Sequence, residues 1–231
     1  DPDGRPGIAY RVGSVEGVSQ VRYIQASVPQ PQDTDSWGEP LVIQDRILDD
    51  PDPNTGAYPE GTGLFTSQAR DPDGLAVVAW YDRSLGALWW SRMNGPGFEA
   101  PEMLAGWGHP DPDRDGDMGA NVDLTIDIDG QAHLCFQDGL TDSLRYLAPG
   151  LGRDEWVDDG VWLDVGGRGH SVHIVGEDCN ILLDRGGRPA IVYQDSTMQA
   201  LLLRRRDTVT PDLVDGWGRR RALRGDGGEV M

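Results

Sequence analysis

Four times along this chain a tight turn closing on glycine leads into an aliphatic run that ends in an aromatic residue. The copies run Asp3-Gly4 to Tyr10, Asp73-Gly74 to Trp80, Asp129-Gly130 to Phe136 and Gly186-Gly187 to Tyr193. In each, the aromatic stands six residues after the last glycine, and the anchors Gly4, Gly74, Gly130 and Gly187 lie 70, 56 and 57 residues apart. A fixed offset inside copies of near-constant length marks a repeat array, in which each unit buries its apolar face against its neighbours.

Every copy then reads as further strands. After the anchor comes a short run rich in Val, Ile, Ala and aromatics: Pro6 to Arg11, Leu75 to Asp82, Ala132 to Asp138, Pro189 to Asp195. These runs are too short and too β-branched for helices. A third strand follows at Gln20 to Gln25, Ala87 to Arg92, Ser143 to Ala148 and Gln199 to Arg204, with Val21, Leu88, Leu144 and Leu201 sharing one column. An outer strand opens on Trp37, Phe98, Trp156 or Trp217 and closes on an apolar pair. The first strand of the next copy is expected at Leu64 to Ala69, Val122 to Ile128 and Asn180 to Leu183. Period two sends each column to one face of its sheet, as packing between stacked sheets requires.

The fold expected is therefore all-β. It is a β-propeller of four-stranded antiparallel blades, one domain over residues 1–231 with repeats at about 1–63, 64–119, 120–176 and 177–231. The register starts inside a turn motif at Asp1 and leaves only Glu229 to Met231 for a closing strand. A slice of a larger propeller, completed by further blades, is the expectation.

Charge narrows the partners. Twenty basic residues, all arginine, stand against 39 acidic ones, a net charge of −19. Such a surface repels a phosphate backbone, which disfavours nucleic acid and anionic membranes. No apolar run approaches the roughly 18 residues of a membrane-spanning helix. Two cysteines, Cys135 and Cys179, fall in neighbouring copies, so a disulfide between blades and two separate buried thiols are both open.

Function is expected in the loops, which interrupt the repeat. Asp111, Asp113, Asp115 and Asp117 alternate around Gly116, the opening of a calcium loop: hard oxygen ligands and a sharp turn. A bidentate Glu is not in its place, since Val122 holds that position. Asp50 to Gly56 is a weaker relative one copy earlier. Asp82, Asp138 and Asp195 end their strands eight residues after the anchor, where three carboxylates could serve a glycosidase. A residue recurring once per copy more often closes a turn through its own backbone. Trp89, Trp90 and Trp107 are candidate sugar platforms, with Tyr58 beside them in the loops; Trp89 and Trp90 must point to opposite faces.

Weaker candidates complete the set. His170 and His173 have metal-like proximity but no third ligand in sight. Arg204 to Arg206 and Arg219 to Arg221 read as a solvated edge or as a docking surface for a partner. The Asp-x-Asp-Gly motifs at Asp1, Asp71 and Asp127 read as turns before they read as ligands.

Taken together, Tyr193-Gln194-Asp195, Leu144-Arg145-Tyr146 and the Trp-led outer strand at Trp156 resemble the sialidase-like extracellular β-propeller repeats of bacteria, over essentially the whole chain. The Ser-x-Asp-x-Gly-x-x-Trp box of true sialidases is absent. The resemblance implies a secreted or cell-surface protein and leaves activity open, because propellers host hydrolases, lectins and scaffolds alike. The leading expectation is a non-catalytic, calcium-stabilised module that binds carbohydrate or protein. The alternatives are a glycoside hydrolase or lyase using Asp82, Asp138 and Asp195, and a structural subunit joined to further blades or subunits.

Overall fold

The computed structural model describes residues 1–13, 17–47, 60–149, 156–158, 173–206 and 221–223. Over these residues the protein is all-β, and every strand pair is antiparallel. The first sheet is β1 (Gly7–Gly13), β2 (Val18–Gln25) and β3 (Leu41–Ile47). The second is β4 (Thr62–Arg70), β5 (Ala76–Asp82), β6 (Ala87–Asn94) and β7 (Gly97–Phe98), with β8 (Glu102–Gly106) also paired to β6. The third is β9 (Met118–Ile126), β10 (Ala132–Asp138), β11 (Ser143–Pro149) and β12 (Trp156–Asp158). The fourth is β13 (Val175–Leu183), β14 (Pro189–Asp195), β15 (Ala200–Arg205) and β16 (Arg221–Leu223). Each sheet is an up-and-down meander in chain order. The outer edge of the second is broken, so Phe98 lies in β7 and Met103-Leu104 in β8.

One turn opens every copy, and an aspartate three residues before the anchor makes it. Oδ1 of Asp71 accepts the amides of Asp73 and Leu75, and Asp127 accepts those of Asp129 and Gln131. Asp184 accepts those of Gly186 and Arg188. Asp1 does the same for Arg5. A short side-chain acceptor bonding the backbone two and four residues on stabilises such a bend without help from the sheet. The sequence pattern does not mark Asp184, because its copy reads Gly-Gly where the others read Asp-Gly. Hydrogen bonds from Arg188 hold the Asp184 carboxyl well below the usual carboxylate range.

Alternation along the second strand of each sheet decides which neighbour it meets. Val78 and Trp80 of β5 pack back on Val21 and Tyr23 of the first sheet, whereas Val77 and Ala79 pack forward with Leu134 and Phe136 of β10. Cys135 in turn packs forward with Ile191 and Tyr193 of β14. Three apolar cores result, one between each pair of consecutive sheets, and β5 and β10 are buried along their whole length. Burial of a strand on both faces is what their near-continuous apolar sequences dictate.

Close approach between sheets depends on one glycine per inner strand. A Cβ on Gly119, where φ is +113°, would lie 2.8 Å from Leu88 Cβ and 2.9 Å from its Cα. One on Gly176, at φ +90°, would lie 3.1 Å from Leu144 Cα. Gly63 holds the same place over Val21. A side chain at Gly119 is thus excluded twice over, by space and by φ, and at Gly63 and Gly176 a tight contact adds to an unfavourable φ.

Cys135 and Cys179 are free thiols, both buried in the core between the third and fourth sheets. Burial, then the hydrogen bond between the two thiols, pushes Cys135 well above the ordinary thiol range. The arginine run of the last copy departs from the solvated edge expected of it. Arg206 is fully buried with its guanidinium 5.8 Å from the centre of the Tyr146 ring, while Arg205 reaches Asp184. A guanidinium is weakly hydrated and stacks on aromatic faces, so an inter-sheet position can hold it.

Candidate functional site

At the end of each strand opposite its opening turn stands Asp82, Asp138 or Asp195. All three are buried, and each divides its two oxygens in the same way. Oδ1 accepts the amides of the following turn: Leu85 for Asp82, Leu140 and Thr141 for Asp138, Met198 for Asp195. Oδ2 meets a basic side chain: Arg46 at 2.5 Å, Arg145 at 3.1 Å and His173 Nδ1 at 2.8 Å. Carboxylates satisfied on both sides in this way close turns and anchor neighbours. Arg46 reaches from β3 in the first sheet to Asp82 in the second, so that pair also ties two sheets together.

Against the turns after Asp82 and Asp138 folds the loop of Asp111 to Asp117. Asp111 caps a single 3-10 turn, Pro112–Arg114, by accepting from Asp113, and its Oδ2 lies 3.6 Å from Arg114. Asp115 accepts from the Gly108 amide at 2.8 Å. Asp117 accepts a hydrogen bond from the Tyr81 hydroxyl at 2.6 Å, and its carbonyl accepts from Gly139 in the β10–β11 turn at 2.7 Å. Burial, and then the bond to Asp117, raise the Tyr81 phenol far above its ordinary range. Among the described residues, no three His, Cys, Asp or Glu side chains are gathered to hold a metal ion.

Trp107 lies at the foot of this loop with 54% of its surface exposed. It covers Gly86 of the β5–β6 turn: a Cβ there would lie 2.8 Å from Trp107 Cδ1 and 3.0 Å from Asp117 Oδ1. An open indole and a carboxylate therefore flank one point on the loop face. Trp89 and Trp90 are elsewhere. Trp89 packs on the core of the first and second sheets, and Trp90 on that of the second and third, where its Nε1 donates to Glu102 at 3.1 Å. Both are half-buried, because consecutive residues of a strand enter opposite inter-sheet cores.

A second concave feature runs across the inner strands. Two residues after each inner-strand glycine, Phe65, Asn121 and Asp178 adopt left-handed backbone at φ 51°, 56° and 48°. The ladder to the second strand slips at the same places. Such bulges re-aim side chains. They border an open groove of about 240 Å³ with Ser67, Asp123 and Asn180 on its wall. Hydrogen bonds cross it from sheet to sheet. Ser67 donates to Asp123 Oδ1 at 2.7 Å and accepts from the Leu124 amide at 3.1 Å, and Asp123 Oδ2 accepts from the Ile181 amide at 2.8 Å.

This groove was legible in a signal the strand pattern hides: Gly63, Gly119 and Gly176 each stand 11 residues before an anchor glycine. The basic partners Arg46, Arg145 and His173 carry no such mark. Of the remaining candidates, Asp50 to Gly56, Tyr58, His170, Arg219 and Arg220 lie outside the described residues, as does Trp217.

No family model matches the chain, and no curated protein matches it. Among solved structures it is similar to a Hadza microbial sialidase, with 12% identity over 94% of this chain and 46% of the other, at a TM-score of 0.48. A fucose lectin from Kordia zhangzhouensis in complex with methyl-fucoside is 16% identical over 66% of this chain and 95% of the other, at 0.40. An exo-β-1,3-galactanase from Phanerochaete chrysosporium is 8% identical over 93% of this chain and 49% of the other, at 0.43. The chain spans about half the length of the sialidase and of the galactanase.

Proposed function

We propose that this chain is a non-catalytic binding module of the propeller type, secreted or displayed at a cell surface, that holds a carbohydrate on Trp107. Consecutive sheets stacked face to face in chain order, with their inner strands bordering one groove, support the propeller reading. The carrying observation is the exposed Trp107 indole beside the Asp117 carboxylate, on the face where the strand-ending turns emerge. A pyranose lays its C–H face on an aromatic ring while its hydroxyls hydrogen-bond to an adjacent acceptor. The hydrolase alternative lacks this kind of support. Asp82, Asp138 and Asp195 are buried and bonded to their own turns.

The test is a panel of oligosaccharides titrated against intrinsic tryptophan fluorescence. The expected result is a saturable change for at least one glycan, weakened tenfold or more by Trp107→Ala with an unaltered unfolding midpoint. A wild type that binds nothing in the panel, or a variant that binds equally well, overturns the proposal. Calcium enters on the alternating aspartate spacing alone. An unfolding midpoint raised by millimolar calcium and lowered by chelator supports it, and an unchanged midpoint removes calcium from the reading. No helix among the described residues is long and apolar enough to cross a membrane.

A further inference from the structure

The chain's two cysteines stand 44 residues apart, on strands of different sheets, and the fold brings them into one apolar core. Cys135 lies in β10 and Cys179 in β13, the inner strand of the next sheet. Two hydrogen bonds seat β13 on β9: Cys179 Sγ donates to the Asn121 carbonyl at 3.1 Å, and the Ile181 amide to Asp123 Oδ2 at 2.8 Å. Asp123 is also the residue that the ladder pairs with Cys135. Both sulfurs therefore sit over one stretch of β9, and the two thiols are hydrogen-bonded to each other. Their settings differ. Cys135 is fully buried and paired on both sides, to Asp123 and to Tyr146. Cys179 falls where the ladder skips from Glu177 to Asn180, so no residue of β14 is paired with it, and it borders the open groove. One thiol is enclosed and fixed, and the other stands at the groove on backbone that the ladder does not hold.

We propose that Cys135 and Cys179 form a reversible disulfide that staples the third sheet to the fourth, made by exchange with a small-molecule disulfide that enters through the groove. Cys179 reacts first, because the groove reaches it. Its thiolate attacks one sulfur of the oxidant, the oxidant's S–S bond breaks, and the departing thiolate takes up the proton that Cys179 lost. The Cys135 thiolate then attacks Cys179 Sγ and expels the second small thiolate, which takes up the proton from Cys135. Two protein thiols and one small disulfide thus become one protein disulfide and two small thiols, and reduction runs the same steps backwards. Burial disfavours the Cys135 thiolate, so the second step is the slow one. The bond closes a loop of about 44 residues, a span at which cross-linking raises the unfolding midpoint by roughly 5–15 °C. It also removes the S–H donor from the Asn121 carbonyl, which leaves an open acceptor on the groove wall. Redox state and groove chemistry are coupled through that one atom.

The test equilibrates the folded protein, and separately refolds it from urea, in buffers of graded oxidised-to-reduced glutathione ratio. Remaining thiols are then alkylated in denaturant and the intact mass is read. The expected product carries no alkyl group, is lighter by two hydrogens, and yields a cross-linked peptide joining β10 to β13. The oxidised form should unfold about 5–15 °C above the reduced one. Cys135→Ala should accumulate a glutathione adduct on Cys179, whereas Cys179→Ala should leave Cys135 unmodified until the protein unfolds. Cys135→Val and Cys179→Val repeat the comparison should an alanine variant fail to fold. Two alkylatable thiols after both routes in fully oxidising buffer overturn the proposal, as do two glutathione adducts without a cross-link. An oxidised form no more stable than the reduced one overturns the staple, and ready capture of Cys135 in folded Cys179→Ala overturns the groove as the entrance.

Discussion

Arg145 donates from both Nε, at 3.2 Å, and Nη2, at 3.1 Å, to a single oxygen of Asp138, in a pair almost entirely removed from water. Removing one partner leaves an uncompensated buried charge, at a cost of roughly 3–5 kcal/mol. Asp138→Ala should therefore lower stability by about that much in urea unfolding. Asp138→Leu combined with Arg145→Met should recover most of the loss. Arg205→Ala, which removes the exposed side of the pair with Asp184 and leaves the Asp184 turn intact, should barely register in the same assay.

Across the groove, Asp123 accepts from Ser67 on one side and from the Ile181 amide on the other. Asp123→Ala leaves that amide without its acceptor and should cost about 1–3 kcal/mol. Amide hydrogen exchange gives the specific readout: Ile181 should lose protection while amides within β10 keep theirs. Equal loss of protection throughout would show general destabilisation in place of a cut tether.

Gly119→Ala places a methyl group against backbone and Cβ of Leu88 at a left-handed φ. Overpacking and strain together should cost roughly 2–4 kcal/mol. Gly95→Ala, also at positive φ but with nothing within 4 Å, should cost only about 1 kcal/mol. Unfolding midpoints of the two variants check the difference.

His133 is buried between Tyr146 and Asp127, and burial holds its pKa below the ordinary 6.5 against the opposing pull of Asp127. The unfolded chain then takes up the proton first as pH falls. Stability contributed by the neutral ring is complete above pH 6.5 and declines as pH drops through and below it. His133→Gln should flatten the stability profile over that interval.

Glu177 has the opposite sign. Burial, then the charges of Asp178 and Asp142, raise its pKa above 4.5. The folded state therefore holds the proton longer, and ionisation destabilises the fold as pH rises above that value. Glu177→Gln should stabilise the protein at neutral pH and do little in acid.

Strand identities were legible because period two and a fixed offset from the anchor glycine act locally: β10 and β14 run from Ala132 to Asp138 and from Pro189 to Asp195, as read. The turn-closing work of Asp82, Asp138 and Asp195 was legible for the same reason. What stayed hidden depends on neighbours distant in sequence. Nothing around Arg46 marks it as the partner of Asp82, 36 residues on. Arg206 sits in a run of three arginines that composition alone places in solvent, yet the Tyr146 ring of another sheet claims it. Trp107 could be named from its loop, but not the Gly86 turn beneath it, because that contact joins two loops whose separation only the fold sets.

The two-sidedness of each sheet has a consequence for how such a chain can change length. A unit with a donor-like front and a receptor-like back is a tile that mates only in one orientation. Duplication of a whole repeat inserts a tile that fits both of its neighbours at once. An insertion of half a repeat presents two like faces to each other and strands an aliphatic column in water. Growth and shrinkage of this molecule should therefore be quantised in units of one sheet.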